Sequence, residues 1–186
     1  MLTSITDSTE VDPMLSDIKT EFRRHQKLAE DALAALDDEA FFQRPGSSVN
    51  PIALVVKHVG GNLRSRWTDF LTADGEKPGR NRDGEFQLLE QDSRERLMAA
   101  WRQGWDALWA TLDSLSEEDG DRTVTIRGER HTVRQAMLRS LTHTAYHVGQ
   151  ILYIARLLRP EGKWLTIAPA QSATHSKPYF QPPTDR

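Results

Sequence analysis

The chain has 186 residues, of which 38% are hydrophobic and 27% are charged. This composition is typical of a folded domain rather than a disordered chain, and the length predicts a single domain. The net charge of −3 argues against a general nucleic-acid binder, which needs a basic face. The chain contains no cysteine, which excludes disulfides, thiolate metal ligands and a cysteine nucleophile.

The N-terminal residues lack the basic and apolar regions of a signal peptide. The longest aliphatic run covers residues 52–56, whereas a membrane-spanning helix needs about 20 apolar residues. We therefore expect a soluble, cytoplasmic protein that has neither a membrane nor a nucleic acid as its partner.

The first part of the chain predicts one amphipathic helix behind a polar arm. Residues 1–12 are polar, and we expect them to form an N-terminal arm. Apolar residues then recur at intervals of three and four over residues 13–36, which is the pattern of a helix with one buried face.

The second helix is predicted over residues 51–71. Asn50 is a typical N-cap, and Pro51 suits the first helical position. The adjacent Gly60 and Gly61 lower helix propensity by about 1 kcal/mol each relative to alanine. Their presence inside a helix indicates either close packing against a neighbour or a kink.

A long segment, residues 72–91, separates the second helix from the third. It is rich in glycine, proline and charge, and loops of this length are usually functional or mobile. Whether this segment acts as a lid stays open from the sequence. The third helix is predicted from a cap at Asp92 to about Leu115.

The last part of the chain predicts a short β hairpin over residues 122–132, followed by a fourth helix that Thr132 caps. Residues 161–186 carry apolar side chains among prolines, and we expect this tail to pack on the helices. Four long helices with a small β element predict an all-α, four-helix bundle over residues 13–160.

Three histidines could hold one metal ion. His143 and His147 are four residues apart and would share a helix face, and His58 lies on the second helix. Together they would form a three-nitrogen site that keeps an open coordination position. The alternative is that they are hydrogen-bonded core histidines. The zinc-protease motif has glutamate where this chain has Thr144, which disfavours a metalloprotease.

Polar residues follow His58 on the same helical face. Asn62 could orient a substrate or a metal-bound water, and Arg64 or Arg66 could hold a carboxylate through a bidentate contact. Both arginines could equally be solvated or paired with Asp69.

Three further residues are candidates for the surroundings of the metal site. Gln150 lies one turn beyond His147 and could accept a hydrogen bond from its imidazole N–H, which would orient the ring without contacting the metal. Tyr146 could bind substrate, donate a proton or simply pack. His25 lies on the apolar stripe of the first helix and either lines the site or is a core histidine. No catalytic residue is assigned.

Taken together, these segments resemble the DinB/YfiT-like superfamily of metal-binding four-helix bundles, in a branch of unknown function. The resemblance covers residues 14–160. It is carried by Arg44-Pro45, by Asn50-Pro51-Ile52 before the helix of His58, and by Thr132-Val133 before the helix of His143, His147 and Gly149-Gln150-Ile151.

The resemblance implies an up-up-down-down bundle with a crossover between the second and third helices, and residues 72–91 suit that crossover. It also implies that His58, His143 and His147 match the superfamily's metal ligands. The implied cofactor is a divalent ion, zinc or nickel first and iron or manganese second. Homodimers are common among the relatives.

Characterised members of the superfamily include transferases that use bacillithiol, mycothiol or glutathione, and a thiol-dependent maleylpyruvate isomerase. The resemblance therefore implies a metal-dependent thiol transferase that acts on a small molecule. One alternative is a metal-dependent hydrolase, which would need a carboxylate such as Asp83 or Glu85 from the long loop. The other is a non-catalytic, stress-related metal-binding bundle.

Overall fold

A computed structural model describes residues 13–161 of the chain. The α-helices in this part are α1 Pro13–Ala34, α2 Asp38–Phe42, α3 Ile52–Trp67, α4 Arg94–Ser114 and α5 Val133–Leu158. Two strands, β1 Thr123–Ile126 and β2 Glu129–Thr132, form an antiparallel hairpin. Short 3-10 helices cover Asp83–Phe86 and Glu117–Asp121. The predicted N-terminal arm and all but the first residue of the predicted tail lie outside the described residues.

The four long helices are those that the apolar periodicity predicts, with small differences at their ends. α3 ends at Trp67 rather than near Leu71. The Ser93 side chain caps α4 by accepting a hydrogen bond from the amide of Arg96. Thr132 begins α5 with a reciprocal capping box, as its position in the sequence predicts.

The short helix α2 was not predicted. Asp37 caps it by accepting a hydrogen bond from the Ala40 amide, and the ring of Phe41 is fully buried. A helix of five residues spans little more than one turn, so it shows no apolar periodicity in the sequence. Its position is fixed by the burial of this ring rather than by a local pattern.

Helices α3 and α4 pack unusually closely and run in the same direction. A Cβ atom on Gly60 would lie 2.9 Å from the Ala100 carbonyl oxygen, so the glycine pair reflects close packing at this position. Gly104 of α4 lies against Gly60 of α3. Closer to the C-terminal ends of both helices, the Thr111 hydroxyl donates a hydrogen bond of 2.7 Å to the Trp67 carbonyl. Residue numbers therefore increase together along the contact.

Helices α3 and α5 run in opposite directions. His58 contacts His143, whereas the Trp67 indole nitrogen donates a hydrogen bond of 3.1 Å to Ser140, earlier on α5. Residue numbers thus rise on one helix as they fall on the other. The histidines of the two helices meet across this contact.

Helices α1 and α5 run in the same direction, which corrects the expected helix order. Leu15 and Met137 line one small cavity near the starts of these helices, and Asp37 pairs with Arg159 beyond their ends. The order is therefore up-down-down-up rather than up-up-down-down. One long crossover joins the parallel helices α3 and α4, and the shorter connections on either side reverse the chain direction.

The crossover segment is anchored to the helices and the hairpin. Lys57 of α3 donates hydrogen bonds to the Gln87 carbonyl at 2.8 Å and to Asp92 at 2.6 Å. At the other end of the segment, the Asp74 carboxylate accepts hydrogen bonds from the amides of Arg127 and Gly128 in the hairpin turn.

None of the helices within residues 13–161 is both long and apolar enough to cross a membrane.

Candidate metal centre

Three imidazoles converge where α3 faces α5. The Nε2 atom of His143 lies 3.2 Å from the Nε2 atoms of both His58 and His147. The ligand atoms of the three residues all lie within 4.8 Å of one another. In a tetrahedral site with bonds of 2.0–2.1 Å, ligand nitrogens are about 3.3 Å apart. The two spacings from His143 match this value, and the three rings together could hold one cation.

A buried carboxylate orients His58. Its Nδ1 lies 2.8 Å from Oε2 of Glu85, so Nδ1 carries the proton and donates it in this hydrogen bond. The same carboxylate forms two hydrogen bonds with Arg80, at 2.7 and 2.8 Å. With Nδ1 protonated, Nε2 presents its lone pair to the other two histidines. Carboxylate-bonded histidines of this kind are common in metal sites.

Gln150 orients His147 in a similar way. The Nδ1 atom of His147 lies 2.8 Å from Oε1 of Gln150, which accepts a hydrogen bond from the Nδ1 proton. This is the contact that the sequence analysis anticipated from the one-turn spacing. The Nε2 lone pair of His147 is again left facing the centre of the cluster.

Burial favours the neutral forms of His143 and His147. Burial, followed by the charges of His147 and His58, lowers the pKa of His143 to about 3. Burial also lowers the pKa of His147, although its hydrogen bond with Gln150 opposes the shift. Neutral imidazole is the form that binds a metal, so protons compete little for these nitrogens near neutral pH.

Glu85 is held in its charged form. Burial alone would raise the pKa of its carboxyl group, but the hydrogen bonds from Arg80 and His58 outweigh this effect and lower the pKa. Both oxygens of Glu85 are engaged in these contacts. The carboxylate is therefore held between Arg80 and His58, and it positions the His58 ring.

An open cleft of about 310 Å³ adjoins the cluster. His58 and His147 form part of its wall, with Phe86 and Tyr146 beside them. The Phe86 ring lies 4.7 Å from the His58 ring, and the Tyr146 ring lies 4.9 Å from the His147 ring. The volume is at the small end of the range for ligand-binding clefts.

The other polar residues of α3 do not enter this cleft. Arg64 is exposed and lines a separate cavity of about 490 Å³, together with Lys77 and Arg80. Asn62 and Arg66 are both buried. Asn62, Arg64 and Arg66 therefore do not line the cleft beside the histidines.

Two further residues are also placed by the structure. His25 does not join the cluster, because its Nδ1 bonds the Glu21 carbonyl on its own helix at 2.7 Å. Thr144 is fully buried, so the position that bears glutamate in zinc proteases faces the core.

The contact between Glu85 and His58 was not predicted from the sequence, where Glu85 was a candidate base for hydrolysis only. Gly61 was the one sequence feature connected with this contact. A Cβ atom at that position would collide with Oε1 of Glu85. The glycine thus leaves room for the carboxylate beside α3.

Comparison with known proteins identifies the family and no individual relative. No curated protein and no solved structure matches the chain significantly. Residues 10–171 match the family described as "Protein of unknown function (DUF1572)". Since this match covers most of the chain, the protein belongs to the DUF1572 family.

Proposed function

We propose that the protein is a divalent-metal-dependent transferase that activates a low-molecular-weight thiol. The observation that carries the proposal is the convergence of three imidazole Nε2 atoms beside an open cleft. A bound zinc or nickel ion would supply positive charge that favours the thiolate form of a cosubstrate at neutral pH. The chain has no cysteine, so the sulfur nucleophile comes from outside the protein.

The residues around the cleft have distinct roles in this proposal. Glu85 and Gln150 hold two of the rings in the orientation needed for metal binding. Phe86 and Tyr146 line the cleft and offer ring surfaces to the electrophile. In the reaction, the sulfur forms a bond to an electrophilic carbon, the leaving group departs with its bonding electrons, and the thiol proton passes to solvent.

The helix arrangement supports placing the fold with the DinB-like four-helix bundles. Ligands come from the second and fourth long helices, and one long crossover joins the second to the third. These are the features that the resemblance implies, whereas the helix directions differ from the expected order. We propose superfamily membership on this combination.

The two alternative functions are less well supported. Hydrolysis needs a general base near the metal, whereas Glu85 is bonded to Arg80 and His58, and neither Asp83 nor Glu85 lines the cleft. A non-catalytic metal site would need no open cleft, whereas this cluster adjoins one. Thiol transfer is therefore our proposal.

We also propose a cytoplasmic homodimer. Tyr153 and Leu157 lie one turn apart on α5 and are 74% and 57% exposed. Large exposed apolar side chains on one helix face favour association with a second copy. Light scattering should give twice the subunit mass of 21.1 kDa, and a monomer at working concentration would contradict this proposal.

The metal site is tested by elemental analysis of purified protein. Wild type should hold about one divalent ion per chain, and His143→Ala should lose most of it because two nitrogens remain. His131→Ala is the matched control, since this histidine lies on β2 outside the cluster. Equal metal content in wild type and His143→Ala would rule out the site.

The reaction is tested on metal-loaded protein. Conjugation of a chromogenic electrophile should be measured with bacillithiol, mycothiol and glutathione, and at least one should react faster than in the uncatalysed control. Activity should fall in His143→Ala in proportion to the metal lost. Metal-loaded wild type that is inactive with every thiol would remove the transferase proposal and leave the metal site standing.

A further inference from the structure

Arg66 is a buried cation that lacks a full set of partners. Only 6% of its surface is exposed, and its Nη1 atom is completely buried without a hydrogen-bond partner in the described part of the chain. The guanidinium lies against Gly75, where an added Cβ would be 2.7 Å from Nη1. Burying a charge without compensation costs several kcal/mol, on the order of the stability of a domain.

The charges around Arg66 increase this cost. Arg80 and Arg127 also act on it, and the favourable charge of Glu76 opposes them. Glu76 is already paired with Arg80 and Arg127. Arg80 is paired with Glu85 as well, so two carboxylates face four arginines once Arg139 is included. Arg139 is also near, and within residues 13–161 neither Arg66 nor Arg139 forms an ion pair. Positive charge is therefore in excess at this place.

The two arginines without ion pairs lie at the same level of the α3–α5 contact. The Trp67 indole nitrogen of α3 donates a hydrogen bond to Ser140 of α5. Arg66 and Arg139 are the residues directly before these two in the sequence. Arg139 is exposed, and its only hydrogen bond within residues 13–161 is a long one of 3.5 Å to His131. Its side chain is thus available to meet a ligand from the solvent side.

The surroundings of Arg66 are consistent with its remaining charged. Burial, followed by the charge of Arg139, lowers the pKa of Arg66 to about 10, which still leaves it protonated at neutral pH. Arg66 is eight residues from His58 along α3, which corresponds to about 12 Å. Arg66 is therefore about two helical turns from His58 and is not one of the clustered ligands, although its charge acts on His143.

We propose that Arg66 and Arg139 form a binding site for a small oxyanion, a carboxylate or phosphate group of a metabolite. Two guanidinium groups can supply several charge-assisted hydrogen bonds to such a group, and arginine matches its geometry in a bidentate manner. The anion balances the excess charge and gives the buried Nη1 atom a partner. The site does not depend on the metal or on thiol transfer.

Thermal unfolding of the full-length protein in a series of anions tests this site. Succinate, acetate or inorganic phosphate replaces chloride at constant ionic strength, and the midpoint of unfolding is followed as each concentration rises. The wild-type midpoint should rise and saturate. A response to succinate and acetate identifies a carboxylate site, whereas a response to phosphate alone identifies a phosphate site. No response beyond chloride overturns the proposal.

Arg66→Met should lose the response, with an apparent Kd weakened by roughly 10- to 100-fold. In chloride alone this variant should be as stable as wild type or more stable, since it removes an uncompensated charge. A purely structural arginine would instead give a less stable variant. Arg102→Met, an exposed change on α4 with the same loss of charge, should respond as wild type does. An undiminished response in Arg66→Met overturns the proposal.

Two further variants keep the test decisive. Arg139→Met changes an exposed residue, so it tests the site even if Arg66→Met fails to fold, and unchanged anion affinity would overturn the proposal. His143→Ala should lose metal and keep the anion response. An anion response that disappears with the metal would mean that the anion binds at the histidines, and would overturn the proposal.

Discussion

At the scale of single residues, the histidine cluster depends on the partners that orient its rings. The spacing of His143 and His147 could be read from the sequence, because residues four apart always share a helix face. The contact of Glu85 with His58 could not, since it depends on how a 20-residue crossover returns along the helices. Gly61 was visible in the sequence, but the side chain for which it leaves space was not.

Glu85→Gln should weaken metal binding by roughly 10- to 100-fold, the usual effect of losing a ligand's hydrogen-bonded partner. The amide cannot supply the negative charge that favours a protonated Nδ1 and a free Nε2 on His58. A competitive titration with a metal-sensitive dye would measure the change. Glu95→Gln, at an exposed position in the first turn of α4, is the control and should bind as wild type does. Equal affinity of Glu85→Gln and wild type would show that this carboxylate has no part in the site.

At the scale of helices, the sequence predicted the four long elements well and their directions poorly. Apolar periodicity locates a helix and its buried face, but it carries no information about the direction in which neighbouring helices run. The direction of α4 relative to α3 depends on the crossover and on the close contact of Gly60 with Gly104. The glycine pair did indicate close packing, without saying which helix approached.

Gly60→Ala should destabilise the protein by up to about 2 kcal/mol, because overpacking costs about 1–3 kcal/mol and improved helix propensity returns about 1. Gly149→Ala is the matched control, since its added Cβ on α5 meets no atom within 4 Å. That variant should gain up to about 1 kcal/mol. Urea unfolding of both variants would measure the two changes, and a stabilised Gly60→Ala would contradict the close α3–α4 contact.

At the scale of the whole molecule, one bound ion would link helices that are far apart in the sequence. His58 is on α3, and His143 and His147 follow 85 or more residues later on α5. Because the unfolded chain cannot hold these nitrogens together, an ion that binds the folded state shifts the unfolding equilibrium.

Removal of metal with a chelator should therefore lower the unfolding midpoint, and returning the ion should restore it. At a free-ion concentration 100 times the Kd, the stabilisation is about 2.7 kcal/mol. For a chain of this size that corresponds to a shift of roughly 5–11 °C. Circular dichroism during heating would follow it. His143→Ala should show little shift, and an equally large shift in that variant would place the ion elsewhere.

The shared direction of α1 and α5 has a practical consequence for labelling. Pro13 begins α1 at the end of the molecule where α5 also begins, whereas Leu158 ends α5 at the opposite end. A 26-residue helix is about 39 Å long, so dyes attached near these two positions would report on the full length of the molecule by energy transfer. A peptide joining the same positions to make a circular permutant would need roughly a dozen extended residues.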